Sequence, residues 1–155
     1  MSRELAQKAL TLLRDPQALL PLDSSQPLLI VEPAALRGMT GKLGLAVTII
    51  EIDAQPSGAQ IDNVIQAAPD RRLVLIGVND LATNTKQLKL IKDLVASGNP
   101  VIAIAYRNPF DAMLLPDSVS VLVTYGFNWP MFEALTNVLT GQSKALGSLP
   151  VVFPK

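Results

Sequence analysis

Five short apolar runs constrain this chain more than any other feature: Leu28 to Val31, Val47 to Ile52, Leu73 to Val78, Val101 to Tyr106 and Val119 to Tyr125. Each is continuous rather than alternating, the pattern of a strand covered on both faces of a parallel sheet. Hairpin strands would alternate and lie closer together in the chain.

Helical patterns fill the gaps. Ser57-Gly58-Ala59-Gln60 has capping-box spacing and leads into an apolar stripe of Ile61, Val64, Ile65 and Ala68. The segment from Asn84 carries Leu88, Ile91, Leu94 and Val95, and Gly98 and Pro100 stop it. Pro130 suits a first helical position, ahead of Phe132, Leu135, Val138, Leu139 and a closing Gly141. The crossover from Pro33 to Gly44 is weaker, a short helix or loop, because Gly38, Gly41 and Gly44 disfavour helix. Strand, helix, strand repeated in this way predicts an α/β fold: a three-layer αβα sandwich with a flavodoxin-like, doubly wound parallel sheet of about five strands.

Leu5, Ala9, Leu12 and Leu13 fall on one helical face, and Asp15-Pro16 ends that pattern. An extended run, Leu19-Leu20-Pro21-Leu22, follows. The expected organisation is therefore an opening helix and extended arm over residues 1–25 and one α/β domain over 26–155.

What is missing narrows the chemistry. The chain has no cysteine, which excludes disulfides, thiolate metal sites and a cysteine nucleophile. It has no histidine either, which removes the commonest general base and transition-metal ligand. No metal site and no cofactor are expected. The 13 basic residues balance 13 acidic ones and do not cluster with aromatics, so nucleic acid is not an expected partner. No apolar run reaches the length that spans a bilayer, so no membrane association is expected. The polar start Met1-Ser2-Arg3-Glu4 implies a cytoplasmic protein if Met1 is the native start; a truncated chain would leave the compartment open.

In a doubly wound sheet ligands bind beyond the carboxyl ends of the strands, which nominates Glu32, Asp53, Asn79, Asp80, Arg107, Asn108, Asp111 and Tyr125. Glu32 and Asp53 end strands that a flavodoxin-like order makes neighbours, so two carboxylates could face one crevice. Arg107-Asn108-Pro109-Phe110-Asp111 reads in two ways. It is either a capped turn, with Asp111 accepting amide bonds, or a loop presenting Arg107 and Asp111 to a ligand. Trp129, the single tryptophan, is either core or an interface anchor. The glycines of Gly38-Met39-Thr40-Gly41-Lys42-Leu43-Gly44 match neither a P-loop nor a dinucleotide-binding turn. No residue is nominated as catalytic.

The run Val101 to Asp111, followed by a strand ending in Thr124-Tyr125-Gly126, resembles the C-terminal domain of family 3 glycoside hydrolases, with its Asn-Pro-Tyr-Asp-like turn and Tyr-Gly strand end. Ala9 to Asp15 with Leu19-Leu20-Pro21-Leu22 is similar to the family's opening segment. Gly147-Ser148-Leu149-Pro150-Val151 resembles its closing Gly-x-Leu-Pro-Val. The resemblance covers nearly the whole chain and is thin between Val31 and Leu73.

That resemblance implies a preceding (β/α)-barrel that carries the nucleophilic Asp. Glucosidases of the family take a Glu acid/base from this C-terminal domain, whereas the β-N-acetylglucosaminidase branch uses a His-Asp pair on a barrel loop. The Asn-Pro-Phe-Asp style and short length resemble the second branch, and the implied parent is a bacterial enzyme. The implied role is a non-catalytic domain that stabilises or walls the barrel's active site, inactive alone, with an N-acetylglucosamine-containing sugar as the candidate ligand. The rivals are an independent sugar- or small-ligand-binding module and a glucosidase-branch domain supplying a carboxylate acid.

Overall fold

The computed structural model describes residues 2–23, 25–33, 47–69, 72–126 and 128–147. All five apolar runs form strands. With the structure's first strand included they are β1 (Thr11–Arg14), β2 (Leu28–Pro33), β3 (Val47–Ile52), β4 (Leu73–Val78), β5 (Val101–Ala105) and β6 (Ser120–Val123). The sheet order is β1-β6-β5-β4-β2-β3. All neighbours run parallel except β1, which pairs antiparallel with β6.

Alternate side chains of each strand enter two separate cores. Leu29, Val31, Val74, Ile76 and Ala103 pack with α2 (Gly58–Ala67) and α3 (Thr85–Ala96) through Ile61, Val64, Leu90, Ile91 and Leu94. Leu28, Ile30, Leu73, Leu75, Ile102 and Leu122 pack on the opposite face with α1 (Arg3–Ala9) and α4 (Trp129–Leu139) through Ala6, Met131, Leu135 and Val138. Both faces of every central strand are thus dry, which is why the sequence shows continuous apolar runs.

The helix limits follow their local chemistry. Ser57 and Gln60 form the reciprocal capping box, each side chain accepting the other's backbone N–H. Asn128 Oδ1 accepts the Met131 amide at 3.0 Å, with Pro130 in the first turn. Gly98 and Gly141 take left-handed φ values of 85° and 82° after α3 and α4, the conformation that ends a helix at little steric cost to glycine. The Pro33–Gly44 crossover lies outside the described residues beyond Pro33 itself.

The opening segment departs from expectation. Its helix stops at Ala9, and Thr11–Arg14 is a sixth strand rather than a further helical turn. Tertiary pairing outweighs the helical spacing of Leu12 and Leu13: the edge of β6 offers Val121, Leu122 and Val123 as ladder partners. The Arg14 guanidinium then reaches across to the carbonyl oxygens of Val119, Pro116 and Leu115 at 3.0, 3.1 and 3.3 Å. Asp15 accepts the amides of Leu19 and Leu20 at 2.8 and 3.1 Å and the Ser120 hydroxyl at 2.7 Å, which holds the arm against the same edge. Arg14→Ala removes three charge-assisted bonds from this half-buried edge. It is expected to lower unfolding free energy by about 1.5–3 kcal/mol in urea titrations, because hydrogen bonds to charged groups contribute on that scale.

Candidate functional site

The direction of strand addition reverses between β2 and β4, with β3 on one side and β5 and β6 on the other. That is the switch point where open α/β sheets form ligand crevices. Glu32 stands there, one residue from the end of β2. It is 4% exposed, and its Oε1 finds no hydrogen-bond donor among the described residues. Strand register sets Glu51, not Asp53, opposite it on β3. Asp53 lies just past the strand, exposed, with its Oδ2 accepting from Gln60 Nε2 at 3.3 Å. The two carboxylates nominated as a pair are therefore engaged differently, one buried in the sheet and one folded onto the α2 cap.

Asp111 is the most constrained acid. It is 2% exposed in the 3₁₀ turn Pro109–Met113, and its two oxygens accept the backbone amides of Asp80 and Leu81 at 2.8 and 2.9 Å. Those amides belong to the turn after β4, where Asp80 takes a left-handed φ of 53°, a conformation Asp tolerates better than most residues. Burial raises the Asp111 pKa. The Leu81 and Asp80 amides oppose that shift, and the Asp80 charge adds to it. Asp111 accepts amide bonds, as one sequence reading has it, but from a loop thirty residues earlier rather than from its own turn. Asn108 Oδ1 caps that turn through the Phe110 amide at 3.0 Å.

Arg107 is exposed beside this turn. Tyr106, before it, is buried, which raises its phenol pKa; the Arg107 charge opposes the rise and the Asp111 charge adds to it. Tyr125 has a left-handed φ of 56° and packs against the α2/α3 core, its hydroxyl 3.4 Å from Thr11 Oγ1. Gly126 follows with φ 126°, and its amide bonds the Tyr106 carbonyl, so the Tyr-Gly turn is tied to the end of β5. Trp129 lies at the start of α4, 51% exposed, its ring centroid 5.7 Å from that of Phe132.

Sequence reasoning missed the brace that joins the loops after β3 and β4. Gln87 is 1% exposed; its Oε1 accepts the Asn79 amide at 3.2 Å, and its Nε2 donates to the Ala54 carbonyl at 2.7 Å. Gln55 adds bonds to the Thr83 carbonyl and the Lys86 amide at 3.0 and 2.9 Å. The signal was present: Gln87 stands in register with Leu90, Ile91 and Leu94 on the buried stripe of α3, where a polar side chain must find partners. Asn84 Nδ2 bonds the Asn79 carbonyl at 2.8 Å and completes the turn. Among the described residues no group of three metal-ligating side chains occurs.

Asp111 thus holds the main chain after β4 in place, and Gln87 and Asn84 hold the same turn from α3 and its cap. Asp111→Ala leaves the Asp80 and Leu81 amides without their acceptor and is expected to cost about 1–3 kcal/mol of stability. Arg107→Ala, at an exposed position, should stay within about 0.5 kcal/mol of the parent; urea titrations of both variants check the two values.

The comparisons with known proteins fit this frame. No protein-family model matches the sequence, and no curated protein matches it. Solved structures do. A family 3 β-N-acetylglucosaminidase from Paenibacillus sp. str. FPU-7 superposes with a TM-score of 0.84 and 26% identity, over 96% of this chain and 31% of that one. A fungal multi-domain family 3 β-N-acetylglucosaminidase gives 0.76 and 20% identity, over 99% of this chain and 19% of that one. A β-glucosidase from Listeria innocua gives 0.77 and 16%, over 96% and 26%. The last two identities speak for the fold alone. The resemblance read from the turn and strand-end motifs is therefore matched in three dimensions: this chain is similar to the C-terminal domain of family 3 glycoside hydrolases, and it spans about a third of the length of the Paenibacillus enzyme.

Proposed function

We propose that the chain is the non-catalytic C-terminal domain of a β-N-acetylglucosaminidase-like enzyme, supporting or walling the active site of an N-terminal (β/α)-barrel. The superposition on the Paenibacillus enzyme, at the highest identity of the three neighbours described, carries this reading. Two features of the chain support it. Two of the strand-end carboxylates have structural work: Asp111 holds two amides and Asp53 the Gln60 side chain. Retaining glycoside hydrolysis needs two carboxyl-type groups across one sugar ring, and histidine, which could pair with an acid, is missing from the sequence. In addition, Phe110, Met113 and Leu114 are each more than 40% exposed on one turn at the end of β5. Large apolar side chains grouped in this way mark a surface that another protein surface covers. The barrel is the proposed occupant, with the sugar bound mainly by the barrel.

A chimera tests this directly. The corresponding third of the Paenibacillus enzyme is replaced by this chain, and hydrolysis of a chromogenic N-acetylglucosaminide is measured. The purified chain alone should give no turnover; the chimera should be active. Replacing Phe110, Met113 and Leu114 together with Ser should lower its activity or melting temperature. Replacing Glu32, Asp53, Asp80, Asp111 and Glu133 one at a time should leave the rate within about tenfold, below the roughly 10²–10⁴-fold effect of removing a general acid. A loss in that larger range at one position would move the assignment to the glucosidase branch, where this domain supplies the acid. Turnover by the isolated chain would overturn the reading altogether.

A further inference from the structure

The sheet has two edges, and the chain treats them differently. At one edge β1 is four residues long, its ladder with β6 shifts register between Leu12 and Arg14, and the Gly147 amide bonds the Leu10 carbonyl at 2.9 Å just before it. A short, irregular edge strand of this kind offers little to another chain. At the other edge β3 reads Val47-Thr48-Ile49-Ile50-Glu51-Ile52, six residues in unbroken register with β2. Among the described residues β2 is its single ladder partner.

The residues of β3 suit further pairing. All but Glu51 are β-branched, and the strand contains no proline, glycine or lysine. The devices that blunt a sheet edge, a bulge, a proline or a lysine, are therefore missing from it. Pairing on one side uses only alternate N–H and C=O groups of a strand, so the others point outward from the edge. Thr48, Ile49 and Glu51 are exposed, Ile49 to 40%, so this edge is open to solvent. Ile50 and Ile52 pack into the α2/α3 core and hold the strand in its extended form. The outward groups are thus fixed in the geometry that a further strand requires.

A second copy of the chain is the occupant these residues fit. An edge strand is complementary to its own copy through a two-fold axis, because antiparallel pairing exchanges N–H and C=O groups symmetrically. Opposite residues of such a pair turn their amides both toward or both away from one another. A residue therefore faces itself or one an even number of positions away. Only two registers keep most of β3 paired, one centred on Ile49 and one on Ile50. In them Glu51 faces Val47 or Ile49 and never its own copy, so the one charge of the strand meets no like charge. The 13 basic and 13 acidic residues of the chain cancel, so two copies approach without net repulsion. The register centred on Ile49 sets Ile49 against Ile49 and Thr48 against Ile50, the β-branched pairs that stabilise a ladder. We propose that two copies of this chain pair antiparallel through β3, centred on Ile49, and join their sheets into one. A strand of this length spans roughly 20 Å and covers less than the ~800 Å² per partner of a standard interface, so the dimer is a weak one, with a Kd on the order of 100 µM. This goes beyond the domain assignment: the turn offered to the barrel follows β5, three strands from this edge.

Analytical ultracentrifugation of the full chain, from about 10 µM to about 1 mM, should show a monomer–dimer equilibrium. Ile49→Glu puts a carboxylate opposite its own copy in one register and opposite Glu51 in the other, so it should weaken the dimer about tenfold. Position 49 is exposed, and thermal melts check that the variant folds like the parent. A second readout does not depend on that variant. The chain has no cysteine, so Ile49→Cys supplies one thiol, at a position that pairs with itself and can form a disulfide across the two-fold. Under mild oxidation its covalent dimer should form faster than that of Lys92→Cys, an exposed position on α3. The proposal is overturned if the parent stays monomeric at the highest concentration, if folded Ile49→Glu associates as tightly as the parent, or if Ile49→Cys crosslinks no faster than Lys92→Cys. None of these measurements reads hydrolysis, so this proposal and the domain assignment fail separately.

Discussion

The structure depends on a sheet whose two faces are both kept from water. Leu28 and Ile30 enter one core while Leu29 and Val31 enter the other, and the same division runs through β4 and β5. A parallel ladder cannot leave one face bare, because its crossover helices must return over the sheet and cover it. Burial of those side chains, at roughly 25 cal/mol per Å² of apolar surface, is the term that offsets the entropy of ordering the crossovers. Strand order, helix placement and the position of every strand-end residue follow from it.

Once the sheet is dry on both sides, the main chain leaving it must find hydrogen bonds within the protein. Polar side chains supply them. Asp111 takes the amides after β4, Gln87 joins the loops after β3 and β4, Arg14 takes three carbonyls near β6, and Asn99 Nδ2 donates to the carbonyls of Ala68 and Arg72 at 3.0 Å each. An unpaired buried amide or carbonyl costs more than a paired one gains, so such residues are committed to the fold.

Much of the architecture was legible in the residues themselves. Ser57 with Gln60, and Pro130 after Asn128, mark helix starts through bonds that reach only three residues, so a short window contains the whole cause. The strand-end turn Arg107 to Asp111 and the Tyr125-Gly126 strand end were likewise visible as motifs. Less was legible where a partner lies far along the chain. Leu12 and Leu13 have helical spacing, yet they form an edge strand because β6, more than a hundred residues later, presents an unpaired ladder. The same holds for Asp111, whose amide partners are thirty residues away, and for Tyr125, which meets Thr11.

The sequence by itself determined the class of fold, the parallel direction of the main strands and the chemistry that a chain without cysteine or histidine cannot perform. These depend on periodicity, local capping and composition, all of which are local or additive. Only the tertiary structure decided that Glu32 faces Glu51 in register, that Asp111 binds backbone, and that Trp129 stands at a cleft shared with Arg3. Each of those is a meeting of distant segments, and which segments meet is set by how helices and strands pack around the two cores rather than by any residue's own preference.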